Sequence, residues 1–322
     1  MHLKHRDWLS LIAKFGTIGF LIVIIAVFSA SRRDVFPTWL NFLNILNQSA
    51  ILGVIAVGLT VCLVMGLFDL SIAAMATLGG YLVCRMLVGQ GDNPQIFLSI
   101  VGVLVCASLI GILNGVLVSY LGISAFIATL AMGSVITGVI LGYSESRTIV
   151  SGLPDAFGLL GQGSSFGVPN AVFVLAIVAA FLWVLLEHTQ AGRNLYAIGG
   201  NAEASRLSGL AVKRYGLLAL GISGACAALA GIMAAASLGA GRPQGVGDTY
   251  LLNAFAAVFI GASTLRPGQF HILGTIVGVL LIGVINNGLS ILGAQTFWQY
   301  IVQGALLIVA MFGAGVLTMR RR

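Results

Sequence analysis

Ile96-Phe-Leu-Ser-Ile-Val-Gly-Val-Leu-Val-Cys-Ala-Ser-Leu-Ile-Gly-Ile-Leu-Asn-Gly115 contains no acidic or basic side chain. One helix needs about 20 mostly apolar residues to cross a bilayer, and charges are kept out because hydrocarbon solvates them poorly. Similar runs, one or two of them shorter, start near Phe15, Ile45, Leu70, Ile123, Asn170, Tyr215, Leu251, Phe270 and Phe297. Together they predict an all-α integral membrane protein of about ten transmembrane helices, with 251–265 the weakest run. The longest connections, 143–169 and 188–214, are too short for a soluble domain, so residues 1–322 read as a single transmembrane domain.

Composition agrees. Only 8% of the 322 residues are charged and 59% are hydrophobic, against roughly 25% charged in a soluble domain. Membrane lipid is therefore the expected surroundings. There are 43 glycines, about twice the usual share. In lipid no hydrophobic effect draws helices together, so small residues that let backbones approach must do it. Gly111–Gly115, Gly138–Gly142 and Gly274–Gly278 have the GxxxG spacing. Chance accounts for any single pair as readily, so the enrichment carries the inference.

The net charge of +7 does not indicate nucleic acid, because the basic residues sit between apolar runs rather than on one amphipathic face. They report orientation instead. With the N-terminus inside, the cytoplasmic side receives Lys4, Arg6, Lys14, Arg193, Arg206, Lys213, Arg214, Arg266, Arg320, Arg321 and Arg322, 11 of the 16 basic residues. The outer side receives Arg32, Arg33, Arg85, Arg147 and Arg242. Both termini are thus expected in the cytoplasm, which requires an even number of spans. Lys4 and Arg6 before the run Phe15–Ala30 mimic a signal peptide, but further spans follow at once and point to an uncleaved first helix. Cys62, Cys84, Cys106 and Cys226 lie in apolar runs without CxxC spacing and read as buried thiols, neither metal ligands nor disulfides.

The fourth and ninth spans share a pattern. Ile110-Gly-Ile-Leu-Asn114 matches Ile282-Gly-Val-Ile-Asn286, and Leu-Gly follows each, at 121–122 and 292–293. The matching spans are five helices apart, so they cross in opposite directions. That is an inverted repeat, the arrangement in which two halves rock about a central site.

A few polar residues interrupt the apolar runs. Asp69, in Gly66-Leu-Phe-Asp-Leu-Ser71, caps the third helix, faces a translocation path from a discontinuous helix, or does both. Asn114, Asn286 and Asn287 bond to neighbouring helices or line a polar route. His188 and His271 sit near membrane boundaries without an acidic partner at ligand spacing. Enzyme motifs are missing: the sequence has no HExxH and no GxxxxGK[ST]. Any ATP-driven role must therefore borrow a separate subunit. An ion-coupled carrier normally keeps several ionisable groups at mid-membrane depth, and Asp69 is nearly alone.

Gly66-Leu-Phe-Asp-Leu-Ser71 resembles a segment of the ribose-type sugar permeases of bacterial ABC importers. Thr189-Gln-Ala-Gly-Arg-Asn-Leu-Tyr-Ala-Ile-Gly-Gly-Asn-Ala-Glu-Ala-Ser-Arg-Leu-Ser-Gly209 is similar to that family's main cytoplasmic loop, and Ile285-Asn-Asn-Gly-Leu289 to its ninth helix. The resemblance runs from about residue 45 to the C-terminus. It implies a permease of the bacterial inner membrane with no cofactor and no covalent chemistry of its own. It also implies a second permease copy or paralogue, a cytoplasmic ABC ATPase subunit and a periplasmic sugar-binding protein. A related branch moves branched-chain amino acids; the Asp-Leu-Ser segment favours a pentose or hexose. On this reading Asp69, Ser71, Asn114, Asn286 and Asn287 lie near the path. Arg193, Gly200, Asn201, Glu203, Arg206 and Gly209 belong to the loop that presses on the ATPase. There Gly199-Gly200 is expected to let the chain turn, Asn201 to cap a helix of about eight residues, and Gly209 to stop it. Glu145, Arg147 and Asp155, in 143–169, are candidates for docking the binding protein.

Overall fold

A computed structural model describes the backbone of residues 3–90 and 94–319 and the side chains of 14–90 and 94–309. Arg320, Arg321 and Arg322 lie outside the described residues, as do the side chains of Lys4 and Arg6. In chain order the helices are α1 (Leu3–Ser31), α2 (Trp39–Val64), α3 (Ile72–Leu87), α4 (Ile96–Ser119) and α5 (Ala125–Ser144). A short α6 (Asp155–Gly158) and a two-stranded hairpin, β1 (Ser164–Ser165) and β2 (Val168–Pro169), precede α7 (Asn170–His188). Then come α8 (Gln190–Gly200), α9 (Ala202–Leu207), α10 (Val212–Leu238), α11 (Asp248–Gly261), α12 (Ile272–Ile291) and α13 (Thr296–Met319). Among the described residues seven helices are long and apolar enough to cross a membrane: α1, α2, α4, α5, α7, α10 and α12. The runs predicted at Leu70, Leu251 and Phe297 are also helical, as α3, α11 and α13.

Burial sorts the helices by solvent. The most apolar stretch of α2 is 83% buried and that of α10 is 72% buried, whereas the corresponding stretch of α1 is 6% buried. All three are equally greasy, so what separates them is whether protein or lipid covers them. The apolar faces of α4, α5 and α7, including Leu109, Ile127, Val139 and Ile177, are exposed. They form the outer wall of the bundle.

The packing pattern repeats. Helix α10 packs on α4 and α3 as α2 packs on α12 and α11, α3 meets α5 as α11 meets α13, and α2 and α10 meet at the centre. Small residues set the closeness. A methyl group at Gly111 would collide with the Leu220 carbonyl of α10, and one at Gly278 with the Ala257 carbonyl of α11. Gly115 and Gly274 are equally confined, but Gly138 and Gly142 have nothing within 4 Å. Two of the three GxxxG pairs are therefore helix contacts and the third is a spacing without a partner.

The two shortest core helices, α3 and α11, each follow an irregular segment. After α2, Gly66 adopts φ 79° while its N–H bonds to Leu63 O and that of Leu67 to Cys62 O, which turns the chain back toward the core. After α10, Gly239 and Gly245 adopt φ 62° and 76°.

Candidate functional site

A cavity of about 480 Å³ lies where α10 and α12 end and α11 and α13 begin, beside the first half of α2. Asn47, Gln48, Asn253, Asn286, Gln299 and Gln303 line it, with Tyr250 and Tyr300. Arg242, from the segment between α10 and α11, is its one charged lining residue. Asn286 is held by Gln303, whose Nε2 donates to Asn286 Oδ1 at 3.1 Å. Asn287 points elsewhere: its Nδ2 donates to Asn41 Oδ1 at 2.9 Å and ties α12 to the start of α2.

Asp69, Ser71 and Asn114 come together in a separate, closed cluster, each at most 1% exposed. Asp69 Oδ1 accepts from Ser71 N at 3.0 Å and Ser71 Oγ at 2.5 Å, and Asn114 Nδ2 donates to Ser71 Oγ at 3.1 Å. Thr129 of α5 accepts from Leu70 N at 3.0 Å. Ser71, not Asp69, occupies the cap position of α3, and its side chain makes no capping bond. Asp69 thus orders the two residues ahead of the helix rather than the helix's first turn. The Ser223 hydroxyl of α10 faces the carboxylate without reaching hydrogen-bond geometry.

The 188–214 connection holds two helices where one was expected. Thr189 caps α8 by accepting from Gly192 N at 3.2 Å, and Leu195 and Ile198 bury its apolar side. Gly199 and Gly200 are helical and make no turn. Gly199 instead lets α8 pass against the Val64 carbonyl, where a methyl group would clash. The change of direction falls on Asn201, extended at φ −158°, whose Oδ1 accepts from Ala204 N at 2.9 Å and caps α9. Gly209 follows α9 with φ 86°. The helix is six residues long rather than eight. Arg206 grips Glu203 at 2.6 Å, and that hydrogen bond and charge hold the exposed Glu203 carboxyl below its usual range. Leu207 beside them is 74% exposed, an apolar side chain the sequence did not single out. Arg193 reaches only Gln190, on the exposed side of α8.

Helix α8 is firmly anchored. Its Tyr196 donates to Phe270 O at 2.9 Å, and beside it Arg266, from the α11–α12 loop, clamps Glu187 at the end of α7 with bonds of 2.7 and 2.8 Å. Burial, and next the Glu187 charge, push the Tyr196 hydroxyl pKa up, so it stays a donor.

At the opposite end, Glu145 and Arg147 pair with each other at 3.0 Å and are largely exposed. Asp155 opens α6, which the buried Phe157 pins to the bundle. Phe166 is fully exposed at the hairpin tip, an aromatic that had no periodic signal in the sequence. This connection is tied to the cavity wall. Ile149 and Gly241 exchange backbone bonds of 2.9 Å, and Gln162 Nε2 donates to Ser237 O at 3.0 Å.

A multi-pass membrane bundle of repeating helix sets, with a cavity lined by amide and hydroxyl side chains and one arginine, is the build of a permease. The profile of the family described as "Branched-chain amino acid transport system / permease component" matches residues 41–311, and the chain belongs to that family. It is 36% identical over 294 residues to the ribose import permease protein RbsC of Escherichia coli, covering 90% of each chain. It is 37% identical to the Bacillus subtilis ribose import permease, over 90% of this chain and 88% of the relative. The D-allose transport system permease of Escherichia coli is 36% identical over 92% and 90%. No solved structure matches the chain.

Proposed function

We propose that this chain is the membrane subunit of an ATP-driven importer for a small sugar, a pentose or hexose. The amide and hydroxyl side chains of the cavity, with one cation and no carboxylate in its lining, carry the reading. A sugar presents hydroxyl groups, which amide and hydroxyl side chains match without a charge penalty. A branched-chain amino acid is a zwitterion and needs both an anionic and a cationic partner, and Arg242 is the single charged group in the lining. The ribose and allose import permeases among its relatives favour the same substrate class.

In this reading ten helices span the bacterial inner membrane as an inverted repeat with both termini in the cytoplasm. The cavity faces outward and receives sugar from a periplasmic binding protein docked on the 143–169 connection. Glu145, Arg147, Asp155 and the exposed Phe166 supply contacts there. A second copy or paralogue completes the membrane part. Helix α9 with its Glu203–Arg206 pair and Leu207 meets a cytoplasmic ATPase, and α8 carries the displacement into the bundle through Tyr196 and Glu187–Arg266. Sugar, once admitted, passes between the two helix sets near Asn286, Asp69, Ser71 and Asn114. The permease itself catalyses nothing.

Reconstitution with its ATPase and sugar-loaded binding protein tests this. Uptake is expected only with ATP and both partners present. Uptake by the chain alone under an ion gradient would make it a secondary carrier and overturn the proposal.

A further inference from the structure

The open cavity and the closed Asp69 cluster occupy matching places in the two helix sets. The cavity lies at the ends of α10 and α12, the starts of α11 and α13, and the first half of α2. Exchanging α2 with α10, α3 with α11, α4 with α12 and α5 with α13 gives the ends of α2 and α4, the starts of α3 and α5, and the first half of α10. Those are the places of Asp69, Asn114, Ser71, Thr129 and Ser223. Individual residues correspond. Asn286 and Asn114 close the matching pentapeptides; Ser49 and Ser223 are buried serines in the first halves of α2 and α10, each with an unpartnered hydroxyl. Yet Asn286 lines the cavity, and Asn114 is wholly buried.

The closed cluster is also badly satisfied. Asp69 Oδ2, Asn114 Oδ1 and Ser223 Oγ find no hydrogen-bond partner among the described residues. Such groups are costly when sealed away, because each has lost its bonds to water without a replacement. That cost is hard to explain in a permanently packed core, where apolar residues of similar shape would serve better. It has a reason if the site spends part of each cycle open and wetted.

We infer that Asp69, Asn114 and Ser223 form a second sugar-contacting half-site, closed in this conformation and opened toward the cytoplasm as the outer cavity shuts. The inference rests on the sugar-permease reading and adds the exit side to it. The carboxylate and amide accept and donate to sugar hydroxyls on the way out. The Asn114–Ser71–Asp69 bonds are the latch that breaks when α4 leaves α3.

The test uses the transporter with its ATPase and binding protein in nanodiscs, in a background with Cys62, Cys84, Cys106 and Cys226 replaced. Asn286→Cys, Asn114→Cys and the near-isosteric Ser223→Cys are each probed with a hydrophilic thiol reagent, without nucleotide, with ATP, and after vanadate trapping. Position 286 should react in one set of states and 114 and 223 in the other, each rate changing at least ~10-fold as the populations shift. Ribose or allose, whichever the wild type imports, should slow the reaction at 223 in its open state. Asp69→Asn should lower uptake roughly 10-fold or more, the effect of losing a charged hydrogen-bond acceptor, while the protein still inserts. If 114 and 223 stay inert in every state while 286 reacts and the background takes up sugar, the cluster is a packed core and the inference fails, with the sugar reading intact. If the background takes up no sugar although the wild type does, labelling of the four-cysteine wild type with an added 223 cysteine decides instead. Failure of the wild type to import any sugar removes the underlying reading as well.

Discussion

At the scale of single residues, the glycines and the outer charges make separate predictions. Gly278 has the Ala257 carbonyl of α11 where a side chain would go, and Gly138 faces open space. Gly278→Leu should therefore overpack the α11–α12 contact and cost on the order of 1–3 kcal/mol or more, read as a lower melting temperature in detergent. Gly138→Leu should leave it unchanged. Glu145 and Arg147 bond to each other, so reversing both keeps the local pair while inverting the field that a partner meets. Capture of loaded binding protein should weaken in the double reversal, most at low salt, where surface charges are least screened. Unchanged affinity would remove this pair from the interface. The sequence identified the glycine pairs but not which of them make contacts. A GxxxG spacing states that two small residues share a helix face; whether a neighbour covers that face is decided by tertiary packing. Phe166 gave no signal because an exposed aromatic at a turn has no periodicity.

At the scale of elements, seven helices were legible because crossing lipid takes about 20 apolar residues, and the runs that became α3, α11 and α13 were legible as apolar stretches. Helix α8 was not, since its burial rests on Gly192, Leu195 and Ile198 within a largely polar stretch. Its neighbour α9 was legible through its caps, Asn201 and Gly209, and these stand where the sequence put them. A six-residue helix has little stability of its own, so α9 should depend on a partner surface. Reversing Glu203 and Arg206 together keeps their mutual pair and inverts the charge pattern that the proposed ATPase partner would meet. Membrane insertion should be normal and uptake per ATP hydrolysed should fall roughly 10-fold, as for a desolvated interfacial charge contact. The pair also sets an acid limit. The Glu203 pKa is lowered in the folded chain, so its contribution is complete above the ordinary carboxylate value and fades as pH falls through the lowered one. Coupling should be flat across neutral pH on account of this pair.

At the scale of the whole molecule, a repeat was legible as one pentapeptide match, and the same packing partners recur across four helix pairs. What the sequence had no means of showing is which copy stands open. Asn114 and Asn286 are equivalent by pattern, and only the conformation makes one a cavity wall and the other a sealed contact. Orientation remains to be measured. Reporter fusions after Arg322 should signal from the cytoplasm and those within 143–169 from the periplasm. A periplasmic C-terminus would refute ten spans. The grooves on α3 and α4 have a further consequence, for how the chain is made. Gly79, Gly80, Gly111 and Gly115 are all shaped to receive α10, which the ribosome delivers only after α5 and α7. Helices α3 and α11, about 24 and 21 Å long at 1.5 Å per residue, are also shorter than the hydrocarbon thickness of about 30 Å. The translocon therefore releases a first half whose central grooves stay bare and whose third helix is too short to stand alone. Until α10 arrives, that half-built bundle keeps open the grooves that α10 fills in the finished chain.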